Sequence, residues 1–255
     1  MSVNPKELEA KVKEMYRDVA TNPHGEFHFE MGRVMAERLG YLPEDLDRIP
    51  PEAIESFAGV GYFFHLANLK SGETVVDLGS GSGMDTFVAS LKVGANGEVH
   101  GVDMTDEQLA KAELLRRTCG FENVSYRKGY IEDTGLEAGI ADCVISNGVI
   151  NLAPDKGRVF REAARLLKKG GRLAISDIVT DIQLPQAVIC NADLWAACIG
   201  GAAQRESYRT EIERAGFAVD EVQENFEYRF ISDRALGATQ KYGVKSVSIL
   251  AQRRA

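Results

Sequence analysis

The sequence predicts a doubly wound α/β protein, a mostly parallel seven-stranded sheet covered by helices on both faces, with a helical extension in front of it. Three observations carry this. From Glu73 onward, short apolar runs alternate with amphipathic helical stretches. The first apolar run closes on a glycine-rich turn, VVDLGSGSGMD (75–85), as such sheets do where they bind ligands. The chain finishes in two stretches of period-two alternation that read as an antiparallel pair.

Each element follows from its pattern. TVVDLG (74–79) is a strand closed by glycine, and MDTFVASLKVG (84–94) has helical spacing that stops at Gly94. EVHGVD (98–103) is the second strand. TDEQLAKAELLRRTCG (105–120) is a helix with Thr105 as its N-cap. NVSYRKG (123–129) and ADCVISN (141–147) are the third and fourth strands. DKGRVFREAARLLKKGG (155–171) is an amphipathic helix ending at paired glycines, and RLAISDI (172–178) the fifth strand. RESYRTEIERAGF (205–217) is helical. AVDEVQENFEYRF (218–230) and YGVKSVSILAQ (242–252) are the final pair.

Residues 1–70 stand outside this rhythm as a helical cap or lid, with helices expected over PKELEAKVKEMYRDVA, EFHFEMGRVMAERLGY and PPEAIESFAG. The nucleotide-binding type of domain then spans 71–255, and an irregular insertion at about 180–204 would cover the substrate.

Composition narrows the function. The 255 residues are 44% hydrophobic and 27% charged, enough for a core, and the formal net charge is -8. The acids are dispersed and no basic patch is evident, so nucleic acid is not the expected partner. No leader-like or membrane-spanning stretch is seen, and a cytoplasmic protein is expected. A homodimer is compatible with this composition. The cysteines Cys119, Cys143, Cys190 and Cys198 form no CxxC pair, so no metal site is expected.

The glycine turn places Asp77, Gly79, Ser80, Gly81 and Gly83 between the first strand and helix. It is GxGxG and not the dinucleotide GxGxxG, because Met84 stands where the last glycine would be, and it lacks the GK[ST] of a phosphate loop. Asp103 ends the second strand, where a carboxylate can accept both ribose hydroxyls, with Met104 and Gln108 beside it. Ile131 is placed to pack on an adenine, with Glu132 or Asp133 near its amino group. The order fits a nucleoside cofactor without a pyrophosphate.

At this point the chain resembles class I S-adenosylmethionine-dependent methyltransferases, over roughly residues 60–252. DLGSGSGMDTF, VGANGEVHGVDMTDEQL, DCVISNGVINL, GGRLAISDI and LWAACIGGA resemble arsenite methyltransferases in particular. The resemblance implies a Rossmann-like methyltransferase fold, S-adenosyl-L-methionine as cofactor, and Asn147 facing its methionine moiety. It also implies cysteines that hold trivalent arsenic. Cys198 matches one of them. The strand-four position is Gly148 here, expected to leave room where relatives place a ligand, and SFAGVGYFFHL (56–66) holds no cysteine. The expected reaction is therefore methyl transfer to a small molecule. A metalloid methyltransferase with a reduced cysteine set, or a non-catalytic cofactor-binding protein, are the alternatives.

Catalytic candidates are Cys198 and the pair His24 and His28 in NPHGEFHFEMG. On a helix the two histidines would share a face and Glu26 and Glu30 a neighbouring one, as a base-carboxylate pair or as a zinc site of two His and a Glu on a lid. The plain alternative is an exposed polar turn. Two or three of Tyr16, Tyr62, Phe63, Phe64, His65, Trp195 and Tyr208 are expected to line the pocket, and His100 to be structural.

Overall fold

A computed structural model describes residues 4–189 and 200–254. The glycine turn, the extended apolar runs and the helices between them assemble into one twisted sheet of order β3-β2-β1-β4-β5-β8-β7. Its strands are β1 (Thr74–Leu78), β2 (Glu98–Asp103), β3 (Val124–Lys128), β4 (Ala141–Asn147), β5 (Leu167–Thr180), β7 (Phe217–Glu224) and β8 (Lys245–Arg253). A two-residue strand, β6 (Ala203–Gln204), pairs with the end of β5. β1 lies between β2 and β4, all parallel, so the order of strands reverses at β1. The crevice outside the carboxyl ends of β1 and β4 is where such sheets take ligands. β8 runs antiparallel between β5 and β7.

Two apolar layers hold the sheet. On one face, α6 (Met84–Val93) packs with α2 (Arg33–Leu39), α3 (Pro43–Leu46), α4 (Pro51–Glu55) and α5 (Phe64–Ala67) around Tyr41, Phe57, Phe63 and Phe87. On the other, α8 (Lys156–Leu166) and α10 (Arg205–Arg214) pack around Phe160, Tyr208 and Phe217. α7 (Asp106–Thr118) lies along β2 and β3. A third cluster gathers Leu8 and Val12 of α1 (Pro5–Thr21) with Val60, Leu152, Ile178 and Ala235. α9 is the short turn Gln186–Ile189.

Several expected boundaries move. The helix expected over residues 26–41 begins only at Arg33, because Gly32 at φ 85 has a backbone that cannot continue one. The helix expected to 171 stops at Leu166. Leu167 already pairs with Ala141 as β5 begins, and Gly170 at φ 74 turns the strand. The strand expected to residue 230 ends at Glu224. A helix that the pattern did not suggest, α11 (Asp233–Tyr242), precedes β8, with Ser232 Oγ accepting from the Ala235 N–H. Thr105 stands at the start of α7, but its side chain makes no capping bond to the helix.

Candidate active site

The cavity at the sheet's switch point is built from four stretches. These are the glycine turn after β1, the end of β2, the 129–132 loop after β3 and the end of β4, with α1 and residues 56–59 closing over them. Gly79 and Gly81 adopt φ 76 and 53, a conformation natural to glycine. A Cβ on Gly79 would lie 2.5 Å from Val149, so only glycine lets the turn fit under β4. Gly83, at φ 96, does not line the cavity. A Cβ there would meet the Tyr126 hydroxyl at 2.2 Å, so this glycine serves the packing of α6 on β3.

Asp103 receives the Gly81 N–H at 3.0 Å on one oxygen and the Thr105 N–H at 2.8 Å on the other. Its carboxyl is raised from the ordinary range by burial, which these N–H groups oppose. Gln108 is buried, accepts from Ser82 Oγ at 2.5 Å, and donates to the Tyr16 carbonyl at 2.8 Å, fastening α1 to the glycine turn. Met104, Ile131 and Glu132 line the same wall, with Glu132 also raised by burial. Asp77 accepts from Thr86 Oγ1 at 2.7 Å, and burial holds it well above the usual carboxylate range.

Asn147 is engaged more fully than expected. Its Oδ1 accepts the Val60 N–H at 2.8 Å, and its Nδ2 lies within 3.0–3.1 Å of the Gly61 carbonyl, Asp85 Oδ2 and the Tyr41 hydroxyl. It lines the cavity and also holds the 58–61 segment in place. The space expected at Gly148 is filled. Val60 Cγ1 would be 3.1 Å from a Cβ there, and φ is 72.

Sequence reasoning missed three residues of the wall. Asp85, directly after Met84, lines the cavity and accepts from Tyr41 Oη at 2.5 Å. Burial pushes it up to about 6. Its position two residues past the last turn glycine was the available signal. Glu9 and Tyr130 meet at the cavity rim, Tyr130 Oη donating to Glu9 Oε1 at 2.8 Å, with Lys13 Nζ at 2.6 Å from the same oxygen. No local pattern announces a contact 121 residues apart.

The histidine pair does not reach the cavity. Residues 23–31 are not helical, so the shared face is lost; the His28 ring sits edge-on to Phe29 at 4.7 Å. Of the aromatic candidates Tyr16 lines the wall, whereas Tyr62, Phe63 and Phe64 pack in the core and Tyr208 donates to buried Asp177 at 2.6 Å. His65 pairs with Gln223, and His100 contacts Ser125 Oγ at 2.8 Å as a structural residue would. Cys143 is buried in β4, its thiol pushed up to about 12 by desolvation, and Cys119 is exposed at the end of α7. Cys190, Trp195 and Cys198 lie outside the described residues. Among the described residues no cluster of His, Cys, Asp and Glu could hold a metal ion.

A turn that leaves no room for a side chain at Gly79, a strand-end carboxylate with lone pairs to spare, and Ser80 Oγ buried without a hydrogen-bond partner fit a ligand rich in donors. Sheet order, turn and strand-end acid together define a class I methyltransferase domain, the class whose cofactor is S-adenosylmethionine. Residues 69–216 match the family model described as "Methyltransferase domain", and the chain belongs to that family. Within it the chain is similar to arsenite methyltransferases. That of Halobacterium salinarum is 40% identical over 199 residues, 78% of this chain and 51% of the relative. That of Aquipseudomonas alcaligenes is 43% identical over 184 residues, 69% of this chain and 53% of the relative. The chain thus spans about half the length of these relatives. An arsenic (III) S-adenosylmethionine methyltransferase from Chlamydomonas reinhardtii superposes with TM-score 0.64 at 30% identity, covering 89% of this chain and 75% of that one. Geranyl diphosphate C-methyltransferase from Streptomyces coelicolor shares the fold, with TM-score 0.69 at 17% identity over 96% of this chain and 98% of that one.

Proposed function

We propose that the protein is an S-adenosylmethionine-dependent methyltransferase acting on a small-molecule acceptor. The observation that carries this is the convergence of the glycine turn, Asp103 and Asp85 on one cavity at the switch point of a methyltransferase-family sheet. Asp103 would take the ribose hydroxyls, Ile131 would pack on the adenine with Glu132 at its edge, and Gly79 and Gly81 would let the ligand approach the backbone. Asp77 and Asp85 offer carboxyl oxygens to the cationic methionine end, and Asn147 holds the wall they share. The cofactor, when bound, supplies a methyl group made electrophilic by its sulfonium. The chain's task is to align the acceptor and exclude water. α1 and the 56–59 segment do so here, as the cap of a domain beginning near residue 71.

A metalloid acceptor is the second reading, favoured by the similarity to arsenite methyltransferases. Its weakness is that Gly148 carries no thiol at the strand-four position, and among the described residues no cysteine lines the cavity. Purified protein with methyl-labelled cofactor, assayed against arsenite plus glutathione and against phenols, amines and thiols, tests both. Label transfer to an organic acceptor with little transfer to arsenite is expected. Robust arsenite turnover abolished by Cys198→Ser would reverse the order, and no transfer to any acceptor would favour a non-catalytic binding protein.

A further inference from the structure

Tyr41 follows directly on α2, where Gly40 at φ 110 ends the helix and the Tyr41 N–H donates back to the Ala36 carbonyl at 3.1 Å. The ring is 2% exposed and packs edge-on to Phe57, Tyr62 and Phe64, with ring centres 5.2, 5.0 and 6.1 Å away. A hydroxyl at such depth is costly unless it is bonded. This one reaches Asp85 Oδ1 at 2.5 Å. Asn147 Nδ2 lies 3.1 Å from the same hydroxyl and 3.0 Å from Asp85 Oδ2. The cap, α6 and the end of β4 thus meet around one carboxyl. The phenol keeps its proton, because burial and then the Asp85 charge hold it well above the ordinary tyrosine range. An ionised carboxyl has no hydrogen to give, so Tyr41 is the donor.

Asp85 and Asn147 line the cavity, and Tyr41 stands behind them. Resting on the methyltransferase reading above, we propose that Tyr41 is a positioning residue of the cofactor site, its hydroxyl and the Asn147 amide fixing the Asp85 carboxyl so that its remaining lone pairs meet the cationic end of the cofactor. Each carboxylate oxygen spends part of its accepting capacity on the protein and keeps the rest for a ligand. The Tyr41 bond also favours the ionised carboxyl, since a hydrogen bond to a charged acceptor is the stronger one. Burial pushes Asp85 up to about 6, and the Tyr41 and Asn147 bonds oppose that rise. The charge of a wall residue therefore depends on a side chain of the cap. The other titratable groups around it are acids and phenols. Asp77 on β1 feels Asp85 and Asp103, Tyr62 of the cap feels Asp45 and Asp85, and Tyr126 on β3 feels Asp77. Asp45 of α3 is paired with Lys92 of α6 at 2.8 Å.

The test is the pH dependence of S-adenosylmethionine affinity, by calorimetry on the whole chain from about pH 5 to about pH 8. Native protein, Tyr41→Phe, Asp85→Asn and the double variant are compared. Asp85 meets a cation as the carboxylate, so native affinity is full above its pKa and falls as pH drops through it. Tyr41→Phe keeps the ring and removes one donor, so the carboxyl titrates higher and the fall should begin about one pH unit higher, the scale of a hydrogen bond to a charged group. Affinity at the alkaline end should stay within about twofold of native, because the carboxyl is ionised there in both proteins. In the Asp85→Asn background the same change should move nothing. An unmoved fall, or an equal loss of affinity at every pH, would make Tyr41 a core residue only and overturn the proposal. So would a shift that persists without Asp85, or a native affinity that does not vary with pH. If Tyr41→Phe fails to fold, 3-fluorotyrosine at position 41 keeps the hydroxyl as a stronger donor and must move the fall to lower pH; no movement overturns the proposal. Absence of binding by the native chain at every pH would instead sink the cofactor reading, and this proposal with it.

Discussion

Asp85 is the residue whose chemistry is most open to a pH experiment. It is buried, bonded to Tyr41 and Asn147, and raised from 3.8 to about 6 by desolvation. Between about pH 4 and about pH 6 the folded protein therefore holds a proton that the unfolded chain has lost. The contribution of Asp85 to stability is full below this window, falls as pH rises through it, and is constant above. A cationic ligand beside the carboxyl lowers its pKa, so cofactor binding should release a proton near pH 6 and weaken as pH falls further. Titrations at pH 6 in buffers of different ionisation enthalpy should show that release in the native protein and a smaller one in Asp85→Asn. Equal values in the two proteins would remove Asp85 from the cofactor's charge. Gly148 makes a second prediction at this scale. Alanine at φ 72, 3.1 Å from Val60, should cost about 1–2 kcal/mol for the left-handed backbone alone, read as a lower denaturation midpoint. The sequence shows a glycine at this position, but the Val60 side chain that fills the space comes from a distant loop.

At the scale of elements, α1 is the one expected to move when the cofactor exchanges. Leu8, Glu9, Val12 and Tyr16 cover the cavity, and the Glu9–Tyr130 and Gln108–Tyr16 bonds fasten the helix at either side. Tyr130→Phe removes one partly exposed hydrogen bond, about 0.5–1.5 kcal/mol. Stopped-flow release of S-adenosylhomocysteine should accelerate several-fold, while the denaturation midpoint changes little. Unchanged release would mean that exchange does not pass through α1. The amphipathic period of α1 made it legible as a helix, and the Gln108 tie could not be read, because it joins residues 92 apart. Strands β1 and β4 and residues 172–178 of β5 were readable as short apolar runs, whereas residues 167–171 of β5 carry the pattern of a helix end. The helix expected over 26–41 failed because its early residues were judged by their side chains, when the backbone at Gly32 decided the matter. α11 was hidden because the alternation before it, NFEYRF, continues the strand pattern past the point where β7 ends.

For the whole molecule, the cap and the sheet share apolar and polar contacts across the boundary expected at residue 70. Phe57 and Phe63 pack in the same cluster as Phe87 and Ile145. Ser246 Oγ and Ser248 Oγ donate to the Val60 and Tyr62 carbonyls, and Asn147 binds Val60 and Gly61. A chain beginning at residue 71 would expose that cluster and lose these hydrogen bonds, each worth about 0.5–1.5 kcal/mol. It should fail to unfold cooperatively on heating, whereas a chain beginning at residue 23, lacking only α1, should keep a cooperative transition and lose cofactor affinity. A cooperative chain from residue 71 would establish the cap as a separable unit. The fold class and glycine turn were legible because they are local patterns, and the site's acid network was not, because Tyr41, Asp85 and Asn147 meet only in three dimensions. The measurement closest to the central claim is calorimetric titration of the native chain and of Asp103→Ala with S-adenosylmethionine. The account predicts saturable binding by the native chain and a loss of about 1.5–3 kcal/mol in the variant, the scale of hydrogen bonds to a charged group. Equal affinity in the two proteins, or no binding by the native chain, would contradict it.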